Sequence, residues 1–129
     1  MRPKKRPMSS MSPVIVFRDG RPMLAVGSPG GWLIPHYITQ ALIRSLNLEL
    51  SPKEVVNGKY LSVRPKQTLL EETEFWSNPQ SKISLGLRNL GHKIKKVRFS
   101  SGVALIYRKD GNWHGAADPR REGKAVSLP

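Results

Sequence analysis

Residues 13–31, Pro-Val-Ile-Val-Phe-Arg-Asp-Gly-Arg-Pro-Met-Leu-Ala-Val-Gly-Ser-Pro-Gly-Gly, decide how this chain folds. The four successive apolar residues from Val14 to Phe17 predict a strand that is covered on both faces. Asp19-Gly20 is a strong hairpin-turn signal, so residues 22–26 are expected to return as a second strand. Residues 27–31 cannot be regular structure, because their glycines permit backbone conformations that other residues avoid.

Two or three helices are expected after this loop. Residues 34–48 carry apolar side chains at three- and four-residue spacing, which is the stripe of an amphipathic helix. Ser51-Pro52-Lys53-Glu54 has the spacing of a capping box with proline at the first helical position, and that helix should end near Asn57-Gly58. From Pro79 a third apolar pattern predicts a helix with a C-terminal glycine; its residues are Ile83, Leu87, Leu90 and Gly91.

The remaining segments are predicted to be extended. Residues 60–64 and 68–71 are short and flank Pro65, so we expect edge strands or extended loops, and residues 73–80 should form a connection. The last third predicts an antiparallel sheet over three segments, residues 93–99, 102–107 and 113–117, with a turn at 109–112. The expected fold class is therefore α+β with mostly antiparallel strands. We treat residues 1–129 as a single partial domain, loosely held at 1–7 and 122–129.

Composition excludes several kinds of site. The chain has no cysteine, so a disulfide framework, a thiolate metal site and a cysteine nucleophile are all excluded. His36, His92 and His114 lie far apart and show no short metal-ligand spacing, so neither a metal nor another cofactor is expected. No apolar stretch approaches the roughly 20 residues that a membrane-spanning helix needs, and no signal-peptide core follows the basic start.

The formal charge of +13 raises the alternative of a small basic nucleic-acid-binding protein. The positive side chains gather in three places, at residues 2–6, 93–98 and 120–124. Only the first is a dense run, and neither an RNA-stacking nor a zinc-finger signature accompanies it. Nucleic acid is therefore the weaker hypothesis, although the cluster at 93–98 would be its binding surface.

Three blocks, in this order, resemble the small subunit of γ-glutamyltranspeptidase, in its C-terminal portion. They are Arg-Pro-Met-Ser-Ser-Met-Ser-Pro at residues 6–13, Gly-Ser-Pro-Gly-Gly at 27–31 and Gly-Ala-Ala-Asp-Pro-Arg-Arg at 115–121. The resemblance implies part of an N-terminal nucleophile hydrolase, in which two sheets lie between helix layers. Its members cleave the γ-glutamyl bond of glutathione and transfer the γ-glutamyl group to water, an amino acid or a peptide. The bacterial enzymes of the family are periplasmic or secreted.

The resemblance also implies roles for four residues. Ser9 and Ser10 would bind the α-carboxylate of the γ-glutamyl group through hydroxyl and backbone donors, which suits an anion. Gly30 and Gly31 would donate backbone N–H groups to the oxyanion that forms when the γ-carbonyl is attacked. From residue chemistry alone, each block has a plainer interpretation: a strand-entry turn for the serines and a loop that leads into a helix for the glycines. Asp118-Pro119-Arg120 is expected to close the structure by an Asp turn and a salt bridge.

The sequence departs from the family pattern at two places that matter. The threonine pair that provides the family's nucleophile would lie upstream of Arg6, and none of Thr39, Thr68 and Thr73 can replace it. We therefore expect the chain alone to be inactive. Trp32-Leu33-Ile34 follows the glycine pair, where many bacterial members have Ser-Arg-Ile.

The expected partners follow from the resemblance. They are a γ-glutamyl compound such as glutathione, the large subunit and the remainder of the small subunit. Self-association of an isolated fragment is a further expectation, because the apolar strand at 14–17 needs cover that a fragment supplies only in part. A non-catalytic remnant is the other alternative.

Overall fold

The computed structural model describes residues 3–126. The expectation that residues 1–7 and 122–129 are loosely held falls partly outside that range, on residues 1–2 and 127–129. Within the described residues, seven strands and three helices follow one another. In order they are β1 (Val14–Arg18), β2 (Arg21–Gly27), α1 (Ile34–Leu46), α2 (Pro52–Asn57), β3 (Leu61–Val63), β4 (Thr68–Glu71), α3 (Lys82–Asn89), β5 (Ile94–Val97), β6 (Ala104–Lys109) and β7 (Asn112–Ala117). A short 3-10 turn, Gly31–Leu33, precedes α1. None of the helices in the described range is long and apolar enough to cross a membrane.

The larger sheet is antiparallel, with strand order β1-β2-β6-β7. Both of its tight turns are Asp-Gly pairs with positive φ at each residue: Asp19 (50°) with Gly20 (73°), and Asp110 (50°) with Gly111 (82°). Positive φ at both central positions matches the right-handed twist of the flanking strands. The predicted hairpin of residues 14–26 and the predicted pairing of the two last strands are confirmed.

The smaller sheet, with order β3-β4-β5, corrects two expectations. β4 is its fully buried central strand and not an edge strand, and β5 pairs with β4 in parallel, not with the antiparallel strands that follow it. The cause is the crossover through α3, since parallel neighbours need a connection long enough to return to the same end of the sheet. β4 tolerates burial because its polar ends are bonded, Thr68 to His92 (Oγ1 to Nδ1, 2.8 Å) and Glu71 to the N–H of Tyr60 (2.8 Å).

The helices form where the sequence predicts them. α1 buries Ile34, Ile38, Ala41 and Ser45 of the predicted stripe and ends two residues earlier than expected. Ser51 and Glu54 form the predicted capping box at α2. Ser81 caps α3, whose last predicted apolar residue, Leu90, is exposed.

The expectation that β1 is covered on both faces is wrong for the described chain. Val14 and Val16 pack against the core, but Ile15 and Phe17 are each 60% exposed. On the same sheet Ile106 and Trp113 are also close to half exposed. Side chains alternate between the faces of a strand, so one face of the larger sheet rests on α1 and α2 while these apolar side chains meet solvent.

Arg120 joins the separate parts of the molecule. Its guanidinium bonds both oxygens of Glu71 (2.7 and 3.0 Å), one oxygen of Asp118 (3.0 Å), and the carbonyls of Val56 and Gly58 (3.1 Å each). These contacts use all five N–H donors of an arginine side chain. Burial opposes the charged form, but the hydrogen bonds to Glu71 and Asp118 outweigh it, so the pKa of Arg120 lies above its ordinary value.

Asp118 is the second anchor of this network. Its side chain is fully buried and accepts hydrogen bonds from the backbone N–H of Arg120 (2.9 Å) and from the hydroxyl of Tyr60 (3.2 Å). The predicted Asp turn and salt bridge at residues 118–120 are thereby confirmed. Glu71, which lies 49 residues before Arg120, is a partner of that arginine that the sequence did not predict.

We expect Arg120→Ala to lower the free energy of unfolding by roughly 3–5 kcal/mol, because it leaves two buried carboxylates without their cation. Arg120→Lys should recover only a small part of this loss, since an ammonium group cannot reproduce the planar five-donor geometry. The measurement is urea-induced unfolding followed by circular dichroism.

The matched control is Arg121→Ala. This exposed neighbour donates a single hydrogen bond, to the carbonyl of Ser100 (2.9 Å), so its removal should cost about 1 kcal/mol or less. Equal losses at positions 120 and 121 would show that the buried network does not hold the fold.

Candidate functional site

The serine block leads into β1 along the surface. Ser9 is exposed and Ser10 is half-buried. The Ser9 Oγ accepts a hydrogen bond from the N–H of Met11 (3.2 Å), and the hydroxyl of Ser12 donates to the carbonyl of Ser10 (2.9 Å). These local bonds form a turn that holds the serine pair at the start of the sheet.

The structure brings the serine block and the glycine block into contact. The hydroxyl of Ser10 donates to the carbonyl of Gly31 at 2.5 Å, across 21 residues of sequence. Two of the blocks on which the resemblance rests are therefore neighbours in space. The contact also shows that the Ser10 hydroxyl hydrogen is used within the protein. Among residues 3–126, Ser9 uses its oxygen as an acceptor and has no acceptor for its own hydrogen.

The glycine pair adopts a backbone that other residues rarely reach. Gly30 has φ 131° and ψ 15°, and Gly31 has φ 59°. A Cβ at Gly30 would lie 2.7 Å from Cε2 of Tyr37, whereas a Cβ at Gly31 would meet nothing within 4 Å. Glycine is thus required at position 30 both by φ and by the ring beneath it.

The N–H groups of this pair are available to a ligand. The loop turns directly into the 3-10 turn and α1, where the carbonyl of Gly30 accepts from Leu33 (3.3 Å). The first N–H groups of a helical segment have no acceptor within it. In the part of the chain that the structure describes, neither the N–H of Gly30 nor that of Gly31 donates to a protein acceptor. Two adjacent free donors can bind an anionic oxygen.

Tyr37 supports the glycine pair from below and connects it to the core. Its ring packs edge-on against Tyr60 (centroids 4.9 Å apart) and Phe99 (5.9 Å). Arg120 lies over the other end of this cluster, with its Cζ 4.7 Å from the Tyr60 centroid. Burial raises the pKa of both Tyr37 and Tyr60 to about 12, so both phenols stay protonated and neutral. Tyr37 was missed in the sequence because it lies beside the apolar stripe of α1, where a tyrosine gives no distinct signal.

None of the three threonines lies in the serine block or in the glycine loop. Thr68 is buried and its hydroxyl is hydrogen-bonded to His92. The hydroxyl oxygen of Thr73 accepts a hydrogen bond from the N–H of Trp76 (2.9 Å). Thr39 is exposed on α1. Across residues 3–126 no three acidic, histidine or cysteine side chains converge in a way that could hold a metal ion.

Comparison with known proteins places the whole chain in one family. A family model described as gamma-glutamyltranspeptidase matches residues 1–128. The glutathione hydrolase proenzyme of Bacillus subtilis strain 168 is 30% identical over 99% of the chain, and that of Escherichia coli K12 is 34% identical over 92%. The aligned segment is only 22% and 20% of these relatives, so the chain spans about a fifth of their length.

A solved structure agrees with the sequence matches. The gamma-glutamyltranspeptidase of Pseudomonas nitroreducens, complexed with L-DON, superposes on the entire chain with a TM-score of 0.86 at 25% identity. The superposition covers 67% of that protein's chain. The expected α+β class with the N-terminal nucleophile hydrolase fold is confirmed by this similarity.

We expect Gly30→Ala to be more destabilising than Gly31→Ala. At position 30 the methyl group adds a clash with the Tyr37 ring to an unfavourable φ, for a total loss of about 3 kcal/mol. At position 31 only the left-handed backbone is penalised, by about 1–2 kcal/mol. Thermal and urea unfolding of both variants measure the difference, and indistinguishable stabilities would contradict the packing of Tyr37 against Gly30.

Proposed function

The chain belongs to the γ-glutamyltranspeptidase family, and from this we propose that it supplies the substrate-carboxylate and oxyanion contacts of an enzyme that cleaves γ-glutamyl bonds. The substrate is glutathione or another γ-glutamyl compound. The γ-glutamyl group passes to water, an amino acid or a peptide. The observation that carries the proposal is the hydrogen bond from Ser10 to Gly31, which joins the two candidate anion-binding segments.

The serine pair binds the α-carboxylate of the γ-glutamyl group in this proposal. Within residues 3–126 the Ser9 hydroxyl donates to no protein acceptor, and its oxygen accepts from the N–H of Met11. The backbone N–H groups of the turn add further donors. The Ser10 hydroxyl joins them only when it leaves the carbonyl of Gly31, because it has one hydrogen.

The glycine pair stabilises the charge that develops during the reaction. A nucleophilic oxygen attacks the γ-carbonyl carbon, a C–O bond forms, and the electron pair of the carbonyl moves to its oxygen. The N–H groups of Gly30 and Gly31 then donate to that oxyanion. When the C–N bond breaks, the leaving amine takes a proton and the γ-glutamyl group stays as an ester, which water or an acceptor amine attacks next.

The nucleophile itself comes from outside residues 1–129 in this proposal. An N-terminal threonine provides both the attacking oxygen and the base, and Thr39, Thr68 and Thr73 cannot do so from their positions in α1, β4 and the following loop. The chain therefore acts with further segments of a larger enzyme. The exposed apolar side chains of the larger sheet, including Ile15 and Phe17, fit a surface that such segments cover.

We expect the purified chain to release no product from a chromogenic γ-glutamyl anilide above the uncatalysed background, because an oxyanion site without a nucleophile stabilises nothing that forms. The measurement is the initial rate at high protein concentration. Product release that Gly30→Val abolishes would contradict the expectation, because it would locate a nucleophile within these residues.

The proposed substrate-carboxylate and oxyanion contacts are tested in a chimera. Residues 1–129 replace the matching segment of the Bacillus subtilis glutathione hydrolase proenzyme, to which the chain is 30% identical. Gly30→Val should lower kcat by about 10²-fold or more, since the side chain displaces an oxyanion donor. Ser9→Ala should mainly raise KM, because it removes a donor to a carboxylate that is bound equally before and during the reaction.

Gly111→Asn is the matched control for the glycine substitution. Gly111 has a left-handed φ of 82° in a surface turn far from the glycine pair, and asparagine tolerates that conformation. The control should keep the activity of the chimera. A chimera in which Gly30→Val behaves like Gly111→Asn would exclude the oxyanion role.

A further inference from the structure

A tryptophan and an arginine stand directly beside the glycine pair. Trp32 follows Gly31 in the 3-10 turn, and its side chain is 48% exposed. The Arg64 Cζ lies 3.8 Å from the centroid of the Trp32 ring, which is a close cation–π contact. His36 packs edge-on against the same indole, with centroids 6.5 Å apart. The indole is thus held between two residues and not loose in solvent.

Arg64 is held in place but its charge is not neutralised. Its backbone is fixed by two hydrogen bonds with Gln67, at 2.9 and 3.3 Å, which close the turn between β3 and β4. Within residues 3–126 its guanidinium forms no salt bridge, in contrast to Arg98 and Arg120. A planar guanidinium stacked on an indole is positioned in advance, and its N–H edge remains available to bind a carboxylate in two-point contact.

The surface beyond Arg64 is a cationic cavity of about 410 Å³. Arg64, Lys66 and Lys93 line it together with Thr68 and His92, and its lining includes no acidic side chain. Nδ1 of His92 is already bonded to Thr68. The positive charges converge without a protein counter-ion, which favours an anionic ligand at this place.

We propose that Arg64, stacked on Trp32, is a specificity-determining residue that binds a carboxylate of the leaving group or acceptor. This proposal rests on the proposed function. It assigns the space next to the glycine pair to the leaving group or acceptor, which lies on the other side of the scissile C–N bond from the γ-glutamyl group. The ligand class is an amino acid or short peptide with a free carboxylate. The exposed part of the indole contacts its apolar atoms, and Lys66 and Lys93 add long-range attraction.

The geometry favours a small carboxylate over a nucleic acid. One guanidinium on one indole gives a single recognition point, and the cavity that it borders has the size of a small molecule. Single-stranded nucleic acid instead needs a groove with several stacking rings along the backbone. Lys95 and Lys96 lie on the edge strand β5, and that strand carries no aromatic residue.

The test uses the full chain and two-dimensional NMR of its backbone amide, indole and arginine side-chain N–H groups. The probes are N-acetylglycine and N-acetylglycinamide, which differ only in the carboxylate. Trp32→Phe identifies the Trp32 signal among the three tryptophans. We expect saturable shifts at Trp32 and Arg64 with N-acetylglycine and none with the amide.

Arg64→Gln should weaken this binding by about tenfold or more, the effect of losing a charge-assisted contact. Arg18→Gln, which removes the same charge from an exposed position at the end of β1, should change it by about twofold or less. Both arginines are exposed, so neither substitution is expected to disturb the core.

Three outcomes overturn the proposal. Equal weakening by Arg64→Gln and Arg18→Gln would show that only net charge attracts the probe. Shifts confined to Ser9 and Ser10 would leave the proposed function standing and remove the role of Arg64. A short single-stranded oligonucleotide that shifts the Trp32 signal at far lower concentration than N-acetylglycine would identify a phosphate-binding surface instead.

Discussion

The buried cation at Arg120 is the interaction on which the rest of this structure depends. One side chain binds a carboxylate from the smaller sheet, a carboxylate that follows the larger sheet, and two carbonyls at the end of α2. A small protein with modest apolar content gains from such a contact, because its five donors fix the relative positions of elements that share little apolar surface. Two buried carboxylates would be unfavourable without it, so all of these elements must assemble together.

The same network reaches the candidate site through aromatic side chains. Arg120 lies on Tyr60, Tyr60 packs on Tyr37, and Tyr37 fills the space in which Gly30 could otherwise carry a side chain. Gly30 therefore rests on a packed cluster of aromatic rings. Preorganised donors are useful in catalysis because they need no rearrangement when charge develops. Arg120 is thus connected to the glycine loop by a continuous series of packed side chains.

Local features of the fold could be predicted from the sequence, and features that depend on remote partners could not. Asp19-Gly20 and the Ser51 capping box carry their own geometry within four residues, so the hairpin and α2 were predicted correctly. The parallel pairing of β5 with β4 was missed, because nothing within either strand specifies its neighbour across α3. Glu71 likewise gave no signal, since its partner Arg120 lies 49 residues away.

The residues of the candidate site also divide into those with a local sequence signal and those whose contacts depend on remote partners. Ser9, Ser10, Gly30 and Gly31 were found because short blocks of sequence resemble a family pattern, and the structure shows that these blocks touch. Trp32 was noted only as a departure from that pattern. Its contact with Arg64 joins residues 32 positions apart and depends on the β3–β4 turn, which no local periodicity predicts.

The bond from Ser10 to Gly31 means that the two candidate anion-binding segments share the hydrogen of the Ser10 hydroxyl. While Ser10 donates to the carbonyl of Gly31, that hydrogen is unavailable to a carboxylate. If a carboxylate took it, the carbonyl of Gly31 would lose one of two donors and keep the N–H of Ile34. Occupancy of the first segment and the bonding state of the second are thus thermodynamically linked, in equal measure in both directions. A carboxylate bound at the serines would therefore change the bonding of the glycine loop through one rotating hydroxyl group.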